Sequence, residues 1–143
     1  MRQRFAVNQQ ALDLQERTQK FATAVIKFCE SLPRTMAAQR IAEQLVDSAG
    51  STDSNYRATC RSRSPDEFIS KIGLAAEEAD ESKGWLELLV RSNHVTREQA
   101  RPLIQEAHAL VAIFVASRKT AQWRKAERDR LKKEAAAAGR WRQ

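Results

Sequence analysis

Apolar residues recur at three- and four-residue steps along most of the chain, and four such stripes predict four helices. The first runs from about Leu12 to Ser31 with Leu14, Phe21, Val25, Phe28 and Leu32 on one face. Pro33 stops it, because proline disfavours helix in the residue before it. A second starts after Thr35, a residue suited to capping, and carries Ala38, Ile41, Ala42, Leu45 and Ala49 on its early face. The stretch from Asp47 to Asn55 is locally ambiguous, since its Ser, Asp, Gly and Thr residues compete with helix by bonding to nearby backbone. Leu45, Ala49, Thr52 and Tyr56 nonetheless keep helical spacing, which favours a continuous helix to about Ser62.

The third helix has the clearest start. Ser64, Pro65, Asp66 and Glu67 supply an N-cap hydroxyl, proline at the first helical position and a glutamate at the capping-box position. Phe68, Ile72, Ala75, Ala79, Leu86 and Leu89 form its stripe to about Arg91. The break at Ser92, Asn93 and His94 is short, so the third and fourth helices should be antiparallel neighbours. Thr96 to Gln99 is a second capping box, followed by Leu103, Ala107, Leu110, Val111, Phe114 and Val115 on a helix reaching at least Lys119. Beyond that the residues still favour helix but the apolar stripe stops, so the segment either projects as a solvated helix or frays, with Gly139 as its end.

Composition supports a single all-α domain. The chain has 143 residues, 42% of them apolar, with four glycines and three prolines. That is enough to bury one core, with few points of interruption, and no run of β-branched and aromatic residues is long enough for a strand. We therefore expect an up-down four-helix bundle over residues 1–117, its first ten or so residues loose, and a separate extension over 118–143. No apolar run is long enough to span a membrane, and no apolar segment follows the basic N-terminus as an export signal requires. Cys29 and Cys60 are then read as reduced thiols in a cytoplasmic protein.

Charge separates the two parts. Residues 118–143 hold ten Lys/Arg against three Asp/Glu, while residues 1–117 hold fifteen of each, so the net charge of +7 belongs to the extension. Arg118, Lys119, Arg124, Lys125, Arg128, Arg130, Lys132, Lys133, Arg140 and Arg142 are candidate phosphate contacts. On a helix, Arg118, Lys125, Arg128 and Lys132 fall within an arc of about 80°. Trp123 and Trp141 lie among these cations and could stack on unpaired bases. Arg57, Arg61 and Arg63 form a second basic group around the turn between the second and third helices. Two other readings stay open: a solvated charge run for the extension, and a helix C-terminus favoured by cations for the arginines at the turn.

Enzymatic chemistry finds no support. His94 and His108 have no metal-ligand spacing and no adjacent nucleophile, and no glycine-rich phosphate loop is present. The acidic run Glu77, Glu78, Asp80 and Glu81 lacks the histidine partner of helical di-metal sites. Trp85 suits a helix or subunit interface. Neither cofactor nor metal is expected.

The segment from Gln44 to Ile69, QLVDSAGSTDSNYRATCRSRSPDEFI, resembles the signature of the 23S rRNA intervening-sequence proteins. Gln44, Leu45, Ala49, Ser51, Ser54 and Asn55 fall on that family's second-helix pattern. Arg63, Ser64, Glu67, Phe68 and Ile69 match the following turn and helix start without insertion. Ala75, Glu81, Leu86, Glu87 and Leu88 continue the similarity, which spans about Glu16 to Lys119. Asp53 stands where the family usually has proline, and Ala58 and Thr59 replace its Glu-Gly pair, which puts any role of that pair in doubt here. The resemblance implies an up-down bundle in a ring-like homopentamer, related to the nucleic-acid-binding accessory proteins of diversity-generating retroelements, which act with a reverse transcriptase. The expected function is thus a non-enzymatic, oligomeric, RNA- or DNA-binding accessory protein. The alternative is a scaffold whose basic extension docks an acidic protein partner.

Overall fold

The computed structural model describes residues 8–142, and these form four helices: α1 (Gln9–Glu30), α2 (Met36–Cys60), α3 (Pro65–Arg91) and α4 (Arg97–Arg140). They make an all-α four-helix bundle. Of the expected loose N-terminus, residues 1–7 lie outside the described residues; Asn8 caps α1, and Gln9 and Gln10 are already helical. No strand occurs among the described residues, and no described helix is long and apolar enough to cross a membrane.

Each start is fixed by the side chain its type would suggest. Asn8 accepts from the Gln10 N–H, Thr35 from Ala38, Ser64 from Glu67 and Thr96 from Gln99. These contacts satisfy backbone donors that have no partner within the helix. The capping box at Thr96 is complete, with Gln99 Oε1 accepting from the Thr96 N–H at 2.9 Å. At Ser64 it is displaced by one residue: Glu67 accepts from the Arg63 N–H at 3.1 Å rather than from the cap residue itself. The Arg63 N–H and a 2.6 Å bond from Lys71 hold the Glu67 carboxyl below the usual carboxylate range, Lys71 being the larger cause. Asn93 closes the turn between α3 and α4 at φ 59°, a left-handed conformation that asparagine tolerates better than most residues.

The ambiguous middle of α2 is helical throughout, ending at Cys60 with Arg61 as its cap. Its small polar residues satisfy themselves. Thr52 and Thr59 donate to the carbonyls of Ser48 and Asn55, each at 2.8 Å. The Ser48 hydroxyl meets that of Ser82 on α3 at 2.8 Å, and Thr18 on α1 donates to Asp53 at 2.9 Å. Ser48, Thr52, Thr59, Ser82 and Thr18 are all buried. Buried hydroxyls with partners cost little, and their small size lets the three helices approach closely.

α3 packs along both α2 and α4, while α1 lies on α2 and meets α4 over a smaller area. Phe21, Val25, Leu45, Ile72, Leu86, Leu89, Leu110 and Phe114 fill the centre, and Tyr56 stacks on Phe114 with ring centroids 5.4 Å apart. Val115, expected on the core face, is exposed; at 100° per residue it stands a quarter-turn beyond Phe114. Arg17 joins α1 to α4 through Glu106, with Nη2 at 2.6 Å and Nε at 2.9 Å from Oε1. This bond raises the Arg17 pKa further. Both side chains are partly exposed, so Glu106→Gln should cost only about 0.5–1 kcal/mol in urea unfolding. A cost several times larger would mean that this pair closes the bundle.

Candidate nucleic-acid interface

α4 is one uninterrupted helix of 44 residues against 27 for α3. At 1.5 Å per residue it is about 25 Å longer. Lys125 of α4 pairs with Asp66 at the start of α3, which fixes where the two run out of register. This contact raises the Lys125 pKa. Past Arg128, which still borders Pro65 and Phe68, the helix stands clear of the bundle, and the end of the basic extension is therefore the overhang of a bundle helix.

Which way the overhang faces follows from the period of the helix. Arg118, Lys125, Arg128 and Lys132 each lie 18 residues after a buried residue of α4: Ala100, Ala107, Leu110 and Phe114 respectively. Eighteen residues are five whole turns. The cationic stripe thus continues the core-facing stripe and looks along the bundle side of α4. Where α3 is still alongside, the stripe is engaged: the Arg118 guanidinium lies over Gly73, where an added Cβ would sit 3.3 Å from its Cζ, and Lys125 holds Asp66. One turn further on, Arg128 borders a groove with Pro65 and Phe68, and Lys132 beyond it is exposed.

The remaining cations sort in the same way. Arg130 is gripped by Glu127 and Glu134, which raises its pKa and neutralises it locally. Arg57 stands 3.9 Å from Asp53. Arg61, Arg63, Lys119, Arg124, Arg128, Lys132, Lys133, Arg140 and Arg142 have no carboxylate partner among the described residues. Pro65, next to the turn that carries Arg61 and Arg63, borders a groove together with Arg124 and Arg128. Two basic groups that are far apart in sequence therefore lie at the same end of the bundle, with Pro65 at the start of α3 between them in the chain and in the groove wall. If polyanion binds there, Asp66→Asn should free Lys125 and steepen the salt dependence by about 0.7–0.9 in log–log slope; an unchanged slope would place Lys125 outside the contact.

Trp123 lies nine residues, two and a half turns, from both Phe114 and Lys132, so it leaves α4 on the opposite side. It is 66% exposed, and Trp141 caps the helix at 90% exposed. Neither tryptophan shares the stripe's face. The aromatic on the basic side is Phe68, half-buried between Pro65 and the wall of α4. Sequence reasoning placed Phe68 in the core stripe alone; its nearness to the first turn of α3 was the signal that it could also reach the bundle end. Elsewhere, His94 meets the Ser92 hydroxyl at 2.7 Å, Trp85 donates to Glu81, and Cys29 and Cys60 are free thiols. Burial pushes the Cys29 thiol up to about 11, so it stays protonated at neutral pH. Among the described residues no three His, Cys, Asp or Glu side chains gather as metal ligands would.

Fold and helix order define a four-helix bundle with one over-long, basic last helix. Residues 10–116 match the family of 23S rRNA-intervening sequence proteins. The chain belongs to that family. Among solved structures it is similar to a crystal structure of a protein of unknown function from the S23 ribosomal protein family of Bacteroides thetaiotaomicron. The TM-score is 0.69 at 25% identity, over 76% of this chain and 97% of that one. Comparison with curated proteins gives no match. The basic extension from Arg118 onward lies beyond the family match.

Proposed function

We propose that the protein is a non-enzymatic nucleic-acid-binding accessory protein, in which an evenly charged bundle holds out a basic arm to RNA or DNA. The observation that carries this reading is the cationic stripe of α4, which continues the core face as Arg128 and Lys132, with Arg124 and Arg128 on a groove at the end of the bundle that also carries the α2–α3 turn. Such an arrangement tracks a phosphate backbone without reading base sequence. Family membership adds a link to ribosomal RNA in name, and the resemblance to retroelement accessory proteins adds a reverse transcriptase as a candidate partner. On the same reading the chain is a cytoplasmic homopentamer whose five arms multiply weak contacts by avidity.

A second reading is a scaffold that docks an acidic protein, which the exposed outer face of α4 with Trp123 and Leu131 favours. Capture from lysate separates the two. Co-purifying nucleic acid lost on nuclease treatment supports the first, whereas a protein partner retained after nuclease supports the second. Light scattering should give five times the 16.2 kDa chain mass; a monomer would contradict the ring.

A further inference from the structure

The basic end of the bundle is more than a charged surface, because a groove opens there. It has a volume of about 520 Å³ and is bordered by Pro65, Phe68, Ser117, Ala121, Arg124 and Arg128. That lies within the about 300–1,000 Å³ of ligand-binding clefts. At Phe68 it joins a second groove of about 990 Å³ between the start of α1 and the end of α2. Ser62, whose hydroxyl has no partner among the described residues, lines that second groove.

We infer that this groove receives an unpaired nucleotide of a single-stranded nucleic acid, its base on Phe68 and Pro65 and its flanking phosphates on Arg124 and Arg128. The inference rests on the proposed nucleic-acid binding and narrows it. Charge complementarity selects the occupant. Arg124 and Arg128 have no carboxylate partner among the described residues, whereas the acids nearest on α3, Asp66 and Glu67, are already paired with Lys125 and Lys71. An apolar wall from Phe68 and Pro65 in the same groove as two arginines without carboxylate partners fits a flat ring carrying phosphate. A paired base cannot turn out of its stack into such a groove without first breaking its pair. Trp123, on the far side of α4, cannot serve the same strand at this point.

The test compares oligo(dT) and oligo(rU) single strands with a duplex of equal length, by fluorescence anisotropy at one salt concentration, for the full chain and two variants. Phe68→Ala removes the aromatic part of the apolar wall and Ser117→Trp fills the groove from its α4 side. Each should weaken single-strand binding about tenfold, the scale of one lost base stack, and leave duplex binding unchanged. Thermal melting of both variants checks the fold, and Ser117→Trp serves if Phe68→Ala unfolds. Loss with both single strands assigns the groove to the base and phosphate they share; loss with oligo(rU) alone assigns it to a ribonucleotide. Equal binding of single strand and duplex, unchanged in Ser117→Trp, overturns the inference while leaving the basic arm in place. A change of oligomer mass in Ser117→Trp with unchanged affinity also overturns it, by making the groove a contact between copies. Failure of the unmodified chain to bind any probe would instead count against the proposed function.

Discussion

Replacing Arg124, Arg128, Lys132 and Lys133 together with glutamine should weaken binding to a single-stranded oligonucleotide about 10²–10³-fold at about 0.1 M salt. All four are exposed, and none has a carboxylate partner among the described residues. Each phosphate contact on a single strand contributes about 0.7 to the log–log salt slope, so the variant's slope should be shallower by about 2.8. Glutamine keeps the length and helix propensity of the side chains, so the fold should survive. Arg130→Gln is the internal control, because Glu127 and Glu134 already hold that guanidinium. A slope change of about 0.7 from Arg130→Gln, one quarter of that of the four-fold variant, would show that net charge matters and geometry does not.

The largest effect on stability should come from Phe114→Ala. Phe114 has no exposed surface, stacks on Tyr56 and is the last fully buried residue of α4 before the overhang. Emptying such a site removes transfer energy and leaves a cavity, a cost of about 3–5 kcal/mol. For a domain with about 5–15 kcal/mol in total, that is a large share. The urea midpoint should fall by about 2 M, taking a slope of about 2 kcal/mol per molar. Trp123→Ala, nine residues on and mostly exposed, should change stability by less than about 0.5 kcal/mol. Comparable losses in the two variants would mean that α4 does not hold the register described.

Much of the fold could be read from the chain because helix starts are local chemistry. Ser64 and Thr96 announce their caps in the sequence, and the stripes through Val25, Leu45, Ile72 and Leu110 place the core. Two local details went otherwise. Glu67 caps the backbone of Arg63 instead of Ser64. Val115 sits outside the buried arc that Phe114 ends. The doubtful centre of α2 became legible only with α3 in place: Ser48 needs Ser82, and Thr18 needs Asp53.

The site was half-legible. The cationic stripe was visible, as was its arc, but its direction required asking where Ala107, Leu110 and Phe114 point. That question could have been answered from the 18-residue spacing alone. The pairing of Lys125 with Asp66 could not, because the relative register of two helices is set by packing along their whole length. For the same reason the meeting of Pro65 and Phe68 with Arg124 and Arg128 had no local signature.

The most direct measurement is the affinity of the unmodified chain for a single-stranded oligonucleotide over a series of salt concentrations. The account predicts a straight log–log plot with a slope between about −3 and −6, as roughly four to eight phosphate contacts require. No binding at about 10 mM salt, or an affinity that salt leaves unchanged, would contradict it.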